Sequence, residues 1–217
     1  MKEDMLYDTN LFQIRDMVVD RMKEIILNNR TMSEGGNVFF GDSLIEYYDL
    51  HRWFPDMPMI NSGLAGITVS MLKHFIDEGV LKFRPKRVFL MAGTNDLGDT
   101  VQSSPRDIAL NMKEIIDIIH ENLPETKIYL LSSLPCVESM QSYQVTHHGI
   151  RTNGMLKLLF EEEKKQIHTP VIFINLYDLF MDGERVKEEL FLDGLHVNEQ
   201  GYAAMTNEIR RVLKEDI

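Results

Sequence analysis

The side chains that could do chemistry in this sequence are a serine near its start and an aspartate and a histidine near its end. Ser43 lies in a Gly-Asp-Ser-Leu segment over 41–44, and Asp193 precedes His196 by three residues. A serine hydroxyl is a poor nucleophile at neutral pH and needs an adjacent base to take its proton. Histidine titrates near neutrality, so His196 can take that proton and later deliver it to a leaving alcohol. Asp193 is close enough along the chain to hold the other ring nitrogen, and the set predicts a serine nucleophile with its base.

Attack of a nucleophile on a carbonyl carbon produces an oxyanion, which needs hydrogen-bond donors fixed in advance. Two further segments offer such donors: 61–66, which reads Asn-Ser-Gly-Leu-Ala-Gly, and 93–96, which reads Gly-Thr-Asn-Asp. The backbone N–H groups of Ser43 and Gly66 and the side-chain amide of Asn95 can converge on one oxygen. Gly66 suits this role because a residue without a side chain lets its backbone approach closely.

These residues need a scaffold. The chain alternates short β-rich runs with segments of helical period, which predicts an α/β fold with a mostly parallel sheet. The candidate strands are 37–41, 58–61, 87–92, 127–132 and 171–174. The candidate helices that follow them are 68–79, 106–122, 151–166 and 199–214. Because ligands of open parallel sheets bind outside the carboxyl ends of the strands, we expect one site at one edge of the sheet.

An additional helix is expected before the first strand, over about 10–29, capped by Thr9 or Asn10. Its apolar residues recur every three to four positions, at Leu11, Ile14, Val18, Met22 and Ile25. The same apolar stripe could cover the sheet or join a partner subunit in a homodimer. We favour an interpretation in which the helix covers the sheet.

Each chemical segment also has a purely structural interpretation. The Gly-Asp-Ser segment could be a turn closed by the side chain of Asp42, and Asn95 and Asp96 could cap the next helix. Asp193 and His196 could form a surface turn or supply two ligands of a metal. No third and fourth ligands stand at a recognisable spacing, so no metal is expected. The order of the segments along the chain favours catalysis.

Substrate preference is expected to depend on loops at the same edge of the sheet. The segment 133–149 is long and irregular, which is typical of functional loops. Aromatic residues after the serine could accept an acyl chain or a sugar face, or could simply pack: Tyr47, Tyr48 and Trp53. The adjacent His147 and His148 suit a solvated loop as well as a substrate contact, and we do not assign them to catalysis.

Composition narrows the class of protein. The 217 residues suffice for a single domain over 1–217, and 44% of them are hydrophobic and 26% charged, as in ordinary globular proteins. Lys and Arg number 23 and Asp and Glu 34, so the net charge of −11 opposes binding to nucleic acid or anionic lipid. The one cysteine, Cys136, excludes an intrachain disulfide and indicates a reducing compartment. Without a secretion signal or a run of roughly 18 apolar residues, a cytoplasmic location and no membrane span are expected.

Motifs of several other enzyme classes are absent from the sequence, namely Gly-x-Ser-x-Gly, the P-loop and Gly-x-Gly-x-x-Gly. No cofactor is therefore expected. The fourteen methionines are interpreted mainly as adaptable core filling, with some available to line an acyl pocket.

The ordered blocks resemble those of the SGNH hydrolases, also called GDSL-type esterases and lipases. Their Ser, Gly and Asn blocks and their Asp-x-x-His block match Ser43, Gly66, Asn95, Asp193 and His196. The resemblance covers about 37–210 and looks nearest to the intracellular acetylhydrolases that act on platelet-activating factor. It implies a flavodoxin-like three-layer α/β/α sandwich with a five-stranded parallel sheet, and a catalytic triad with an oxyanion hole.

The expected function is that of a serine esterase that cleaves a small-molecule acyl ester through an acyl-enzyme on Ser43. Short acyl groups such as acetate are preferred, because no amphipathic lid or large apolar run stands out. The same machinery could instead remove O-acetyl groups from carbohydrates or cleave a thioester. A third hypothesis makes the chain a non-catalytic binding module that has kept the geometry.

Overall fold

The computed structural model describes residues 16–31, 34–98, 103–140 and 151–215. Its main sheet has five strands: β1 (Asn37–Gly41), β2 (Met59–Gly63), β3 (Arg87–Met91), β4 (Lys127–Leu131) and β5 (Ile172–Ile174). All neighbouring strands are parallel, in the order β2-β1-β3-β4-β5. This is the flavodoxin-like order, so the predicted α/β/α fold with a five-stranded parallel sheet is confirmed.

The helices lie between and around these strands. In chain order they are α1 (Asp16–Thr31), α2 (Ser43–Glu46), α3 (Leu50–Trp53), α4 (Val69–Leu72), α5 (Ile76–Gly79), α6 (Thr94–Gly98), α7 (Pro105–Asn122), α8 (Asn153–Gln166) and α9 (Glu199–Glu215). A short antiparallel hairpin, β6 (Met181–Asp182) with β7 (Arg185–Val186), follows the sheet. None of the helices among the described residues is long and apolar enough to cross a membrane.

The central strands β1, β3 and β4 are buried on both faces, which explains their continuous apolar sequences. Successive side chains of β1 point to opposite sides, so Val38 and Phe40 join one core cluster and Phe39 joins the other. Helices α1, α4, α5, α7 and α8 supply residues to the first cluster, while α2, α3 and α9 supply residues to the second. These two clusters form the interfaces between the three layers.

Three aromatic rings form a ladder on the α9 side of the sheet. Phe39, Phe89 and Tyr129 are register partners on β1, β3 and β4. The ring centroids of Phe39 and Phe89 lie 4.4 Å apart, and those of Phe89 and Tyr129 lie 4.7 Å apart. Each ring is fully buried, and burial of such a side chain contributes roughly 1.5–3 kcal/mol. The ladder therefore fixes the three central strands that carry the site.

The first helix covers the sheet, as we favoured. Val18, Met22 and Ile25 are buried in the first core cluster. Arg21 fastens α1 to β2, because its Nη2 donates to the carbonyl oxygen of Asn61 at 2.9 Å. The predicted start of this helix at residue 10 and its caps at residues 9 and 10 lie outside the described residues.

The segment predicted as one helix over 68–79 is divided. It forms α4, a 3₁₀ turn over Lys73–Phe75, and then α5. Apolar residues spaced by three or four fit both kinds of helical turn, so the pattern could not show the change. The four-residue helices α2 and α3 were not predicted, since neither is long enough to display a period.

Candidate active site

Ser43 follows β1 at the point where the strand order reverses between β1 and β3, which is where open α/β sheets bind ligands. It is the first residue of α2, so its backbone N–H has no partner within that helix. The Oδ1 of Asp42 accepts the Leu44 N–H at 3.0 Å and caps the helix. The turn interpretation of this segment is thus also correct, and the turn is what fixes Ser43 at the start of α2.

Ser43, His196 and Asp193 form a continuous hydrogen-bonded chain. Ser43 Oγ lies 3.0 Å from His196 Nε2, although 153 positions separate the two residues. His196 Nδ1 lies 2.7 Å from Asp193 Oδ2. With the carboxylate accepting at Nδ1, the proton of the neutral imidazole lies on that nitrogen and Nε2 can accept from the serine hydroxyl.

Asp193 is organised to remain ionised. Its Oδ1 accepts the backbone N–H of Leu195 at 3.0 Å and that of His196 at 2.7 Å. Partial burial acts to raise the pKa of Asp193, but the hydrogen bonds from His196 and from these backbone groups outweigh it, so the pKa lies below its ordinary value. A negative carboxylate is therefore present beside the imidazole to stabilise it when it becomes charged.

Asp42 behaves differently, although it lies next to the nucleophile. Burial raises the pKa of Asp42 to about 6, against the opposing effects of the Leu44 N–H and the nearby His196 and Arg151. Its carboxyl is almost inaccessible to solvent, at 1% exposure. Its position and hydrogen bond indicate that Asp42 holds the turn and does not meet substrate.

The loop that carries Gly66 is held by α2. A Cβ at Gly63 would lie 2.1 Å from the backbone nitrogen of Glu46, so α2 packs directly on the end of β2. Glu46 Oε2 accepts the N–H of Ala65 at 2.6 Å. The next residue, Gly66, has a φ of +75°, a conformation that favours glycine. Both the nucleophile and this glycine are therefore positioned by the same short helix.

Asn95 completes the predicted set at the edge of the sheet. Its Nδ2 donates to the carbonyl oxygen of Ile67 at 2.9 Å, which leaves a second amide hydrogen. Asn95 lines a cleft of about 180 Å³ together with Ser43, Gly66 and His196. The structure thus brings all five predicted site residues to one place.

Asp96 has the structural role that we considered, but at a different helix. Both of its carboxylate oxygens accept the N–H of Val69, at 3.1 and 3.0 Å, so it caps α4. We had expected a cap of the next helix along the chain. The sequence could not show this contact, because Val69 and Asp96 lie on different crossovers.

The aromatic residues after the serine divide between packing and the cleft. Tyr48 is buried, and its hydroxyl lies 2.6 Å from Thr206 Oγ1 on α9. From the same helix, Tyr202 donates its hydroxyl to the carbonyl oxygen of Leu44 at 3.1 Å. Tyr47 is 51% exposed, with its ring centroid 5.5 Å from that of His196. Tyr48 is thus a packing residue, whereas Tyr47 belongs to the site.

Met17 is a member of the cleft that the sequence interpretation missed. It is 52% exposed and lines the same cleft as Ser43, even though it lies on α1. The available signal was an apolar residue next to, but not in, the apolar stripe that includes Val18. Other methionines are buried in the core as predicted, for example Met112 and Met205.

Other predicted features lie away from this site or outside the described residues. Cys136 is fully buried in the core. The segment 133–149 is described as far as residue 140 and includes a 3₁₀ turn at Glu138–Met140, whereas His147 and His148 are outside the described residues. A larger cleft, of about 460 Å³, lies between 84–87 and 122–127 at the amino ends of β3 and β4. The described residues that line that cleft include neither a serine nor a histidine.

A family comparison agrees with this geometry. Residues 39–204 match the GDSL-like lipase/acylhydrolase family. The chain belongs to this family. The predicted family assignment is confirmed, and with it the hydrolase class. Helix α1 precedes the matched region.

Three individual proteins illustrate the similarity. The alpha2 subunit of rat platelet-activating factor acetylhydrolase IB is 24% identical over 82% of this chain and 76% of its own length. An N-acylneuraminate cytidylyltransferase of Escherichia coli is 26% identical over 80% of this chain, which spans 39% of the length of that relative. A Streptococcus pneumoniae structure, provisionally named a platelet activating factor, is 26% identical with a TM-score of 0.82 and covers 97% of both chains.

Proposed function

We propose that this protein is a serine esterase that hydrolyses short-chain carboxylic esters through an acyl-enzyme on Ser43. The observation that carries the proposal is the hydrogen-bonded chain from Ser43 Oγ through the imidazole of His196 to Asp193, with distances of 3.0 and 2.7 Å. A serine with an adjacent base, itself oriented by a carboxylate, is the arrangement required for nucleophilic catalysis.

In the first half of the reaction, Ser43 Oγ attacks the ester carbonyl carbon while His196 Nε2 takes the hydroxyl proton. The carbonyl oxygen becomes an oxyanion, which accepts hydrogen bonds from the backbone N–H groups of Ser43 and Gly66 and from the amide of Asn95. As the tetrahedral intermediate collapses, the C–O bond to the alcohol breaks. The imidazolium of His196 then protonates the leaving alkoxide.

In the second half, a water molecule attacks the acyl carbon of the acyl-serine. His196 takes a proton from this water, and the bond to Ser43 Oγ breaks as the serine recovers its proton. The carboxylic acid departs and the enzyme returns to its starting state. Asp193 stays ionised throughout and stabilises the imidazolium.

The size of the cleft supports a short acyl group. Sites that bind drug-sized molecules have volumes of roughly 300–1,000 Å³, whereas the cleft at Ser43 has about 180 Å³. Met17, Ala65 and Leu195 provide its apolar surface. This space suits a carbonyl group with a few carbon atoms.

Labelling with a fluorophosphonate probe tests the nucleophile. We expect covalent labelling of the wild-type protein and none of Ser43→Ala, with unchanged circular dichroism of the variant. A protein that hydrolyses no nitrophenyl ester and takes up no probe would instead be a non-catalytic binding module. In a chain-length series of nitrophenyl esters, fastest cleavage of the longest chains would contradict the preference for short acyl groups.

A further inference from the structure

A second cleft lies on the other side of His196. It has a volume of about 350 Å³, roughly twice that of the cleft at Ser43. Tyr47 and His196 line both clefts, and their ring centroids lie 5.5 Å apart. These two side chains therefore form the wall between the clefts.

The mechanism divides an ester between these two spaces. The leaving alkoxide must receive its proton from His196 Nε2, so the alcohol part of the substrate has to lie against the imidazole. The carbonyl oxygen has to lie near Gly66 and Asn95, which line only the smaller of the two clefts. The acyl group thus belongs to the smaller cleft, and the alcohol extends past His196 into the larger cleft.

Aromatic and charged side chains line the larger cleft. Tyr47 is half exposed. Trp53 also lines the cleft, and the guanidinium carbon of Arg52 lies 5.2 Å from the centroid of its ring. Arg52 also forms an ion pair with Glu199, and Asp49 adds a second carboxylate. Among the described residues of this lining, one cation and two carboxylates give a net negative charge.

This lining suits a neutral alcohol with several hydroxyl groups. Carboxylate oxygens accept hydrogen bonds from hydroxyl groups, and an aromatic ring offers a large apolar face to the C–H face of a sugar. A phosphate-bearing alcohol would meet Asp49 and Glu199 with the same sign of charge, whereas the guanidinium of Arg52 is already paired with Glu199. The chemistry therefore favours a sugar or another polyol over an anionic alcohol.

We propose that the cleft formed by Tyr47, Asp49, Arg52, Trp53 and Glu199 binds the alcohol part of the substrate, and that this alcohol is a neutral polyol such as a sugar ring. This inference rests on the proposed esterase function of Ser43. In this assignment, a short acyl group such as acetyl lies on one side of His196, and the larger alcohol part of the ester lies on the other side.

Three acetate esters with different alcohols test the assignment: ethyl acetate, an acetylated methyl glycoside and an acetylated glycerol phosphate. Ethanol is too small to fill the larger cleft. We expect the highest kcat/KM for the glycoside and the lowest for the phosphate ester. Trp53→Leu keeps an apolar side chain but removes the aromatic face, and we expect it to lower the ratio of kcat/KM for the glycoside to that for ethyl acetate by roughly fivefold to tenfold.

The charge argument has its own variant. Asp49→Asn keeps the side-chain oxygen that accepts the Arg52 N–H at the start of α3 but removes the negative charge. We expect this variant to raise the ratio of kcat/KM for the phosphate ester to that for ethyl acetate severalfold. Leu158→Ala, at an exposed position of α8 that lines neither cleft, is the control and should match the wild type on all three esters.

The outcomes separate the two proposals. If ethyl acetate is hydrolysed but the glycoside has no advantage, or if Trp53→Leu slows both equally, the assignment of the larger cleft is wrong and the esterase proposal stands. If no ester is hydrolysed and Ser43 takes up no fluorophosphonate, both proposals are wrong.

Discussion

Asn95 uses one of its amide hydrogens to bond the carbonyl oxygen of Ile67, and this bond orients the rest of the side chain. The fixed orientation matters for the proposed oxyanion hole, because a donor that is held in place before the reaction costs no reorganisation when an oxyanion forms. The same logic applies to Gly66, whose positive φ fixes the direction of its peptide. At the residue scale, both groups are thus oriented by the folded protein before any substrate binds, Asn95 by a hydrogen bond and Gly66 by its backbone conformation.

Replacement of Asn95 by Ala should lower kcat by about 10²–10³-fold, while KM changes by less than about threefold. The reason is that the amide bonds strongly only to the charged oxygen of the transition state. Steady-state kinetics on nitrophenyl acetate would measure both constants. Asn95→Asp, which keeps the size of the side chain but has no N–H, should lower kcat at least as much, because its negative charge also opposes the oxyanion. An effect confined to KM would show that Asn95 binds substrate and does not stabilise the oxyanion.

At the scale of the elements, α1 is the helix that precedes the region matching the family. It lies outside the matched region 39–204, is fastened to β2 by Arg21, and presents Met17 to the cleft at Ser43. A wall supplied by a separate helix can change without any change in the sheet or the catalytic loops. In the proposed esterase, α1 is therefore a place where acyl length would be set independently of the chemistry.

Replacement of Met17 by Ala should lengthen the preferred acyl chain, and Met17→Trp should shorten it. Each added methylene that finds apolar surface is worth about 0.8 kcal/mol, so the ratio of butyrate to acetate kcat/KM should rise severalfold in the alanine variant. Nitrophenyl esters of two to eight carbons would give the series. The control is Leu27→Ala, at an exposed position of the same helix that does not line the cleft. Identical chain-length profiles for all variants would remove Met17 from the acyl site.

The strands were the easiest elements to predict, because each contains a short run of apolar residues that is buried on both faces. β2 was predicted over 58–61 and is observed at Met59–Gly63. Ser62 and Gly63 do not resemble strand residues. Gly63 is nevertheless required there, since α2 packs so closely that a Cβ would meet its backbone. Only the tertiary contact explains this residue, and a single sequence does not contain it.

The site residues were predicted from order and type, and the structure brings them together. The sequence analysis did not assign Met17, Arg21 and Glu46 to the site. Each of them makes its contact with an element that becomes a neighbour only when the chain folds. The single domain, the cytoplasmic location and the possible homodimer stay predictions.

At the scale of the whole molecule, one buried carboxyl group works against stability at neutral pH. Glu163 lies on α8 at 1% exposure, and its Oε2 has no hydrogen-bond partner among the described residues. Burial raises the pKa of Glu163 well above its ordinary value of 4.5. The folded protein therefore holds a proton that the unfolded chain releases, so the free energy of unfolding falls as pH rises above about 4.5 towards the raised pKa.

Replacement of Glu163 by Met should remove this pH-dependent loss. At pH 8 we expect the variant to be more stable than the wild type by about 1–3 kcal/mol, with a smaller difference at pH 4.5. Urea unfolding at the two pH values would measure it. Glu161→Gln, at an exposed position on the same helix, should change stability by less than about 0.5 kcal/mol. Equal differences at both pH values would mean that ionisation of Glu163 is not the cause.

Two tyrosine hydroxyl groups connect α9 to the segment around Ser43. Tyr48 reaches Thr206, and Tyr202 reaches the backbone of Leu44 immediately after the nucleophile. Through these two hydrogen bonds, α9 helps to hold the loop that carries His196 at a fixed distance from the turn that carries Ser43. Substitutions that remove these two hydrogen bonds should slow turnover before they lower the melting temperature.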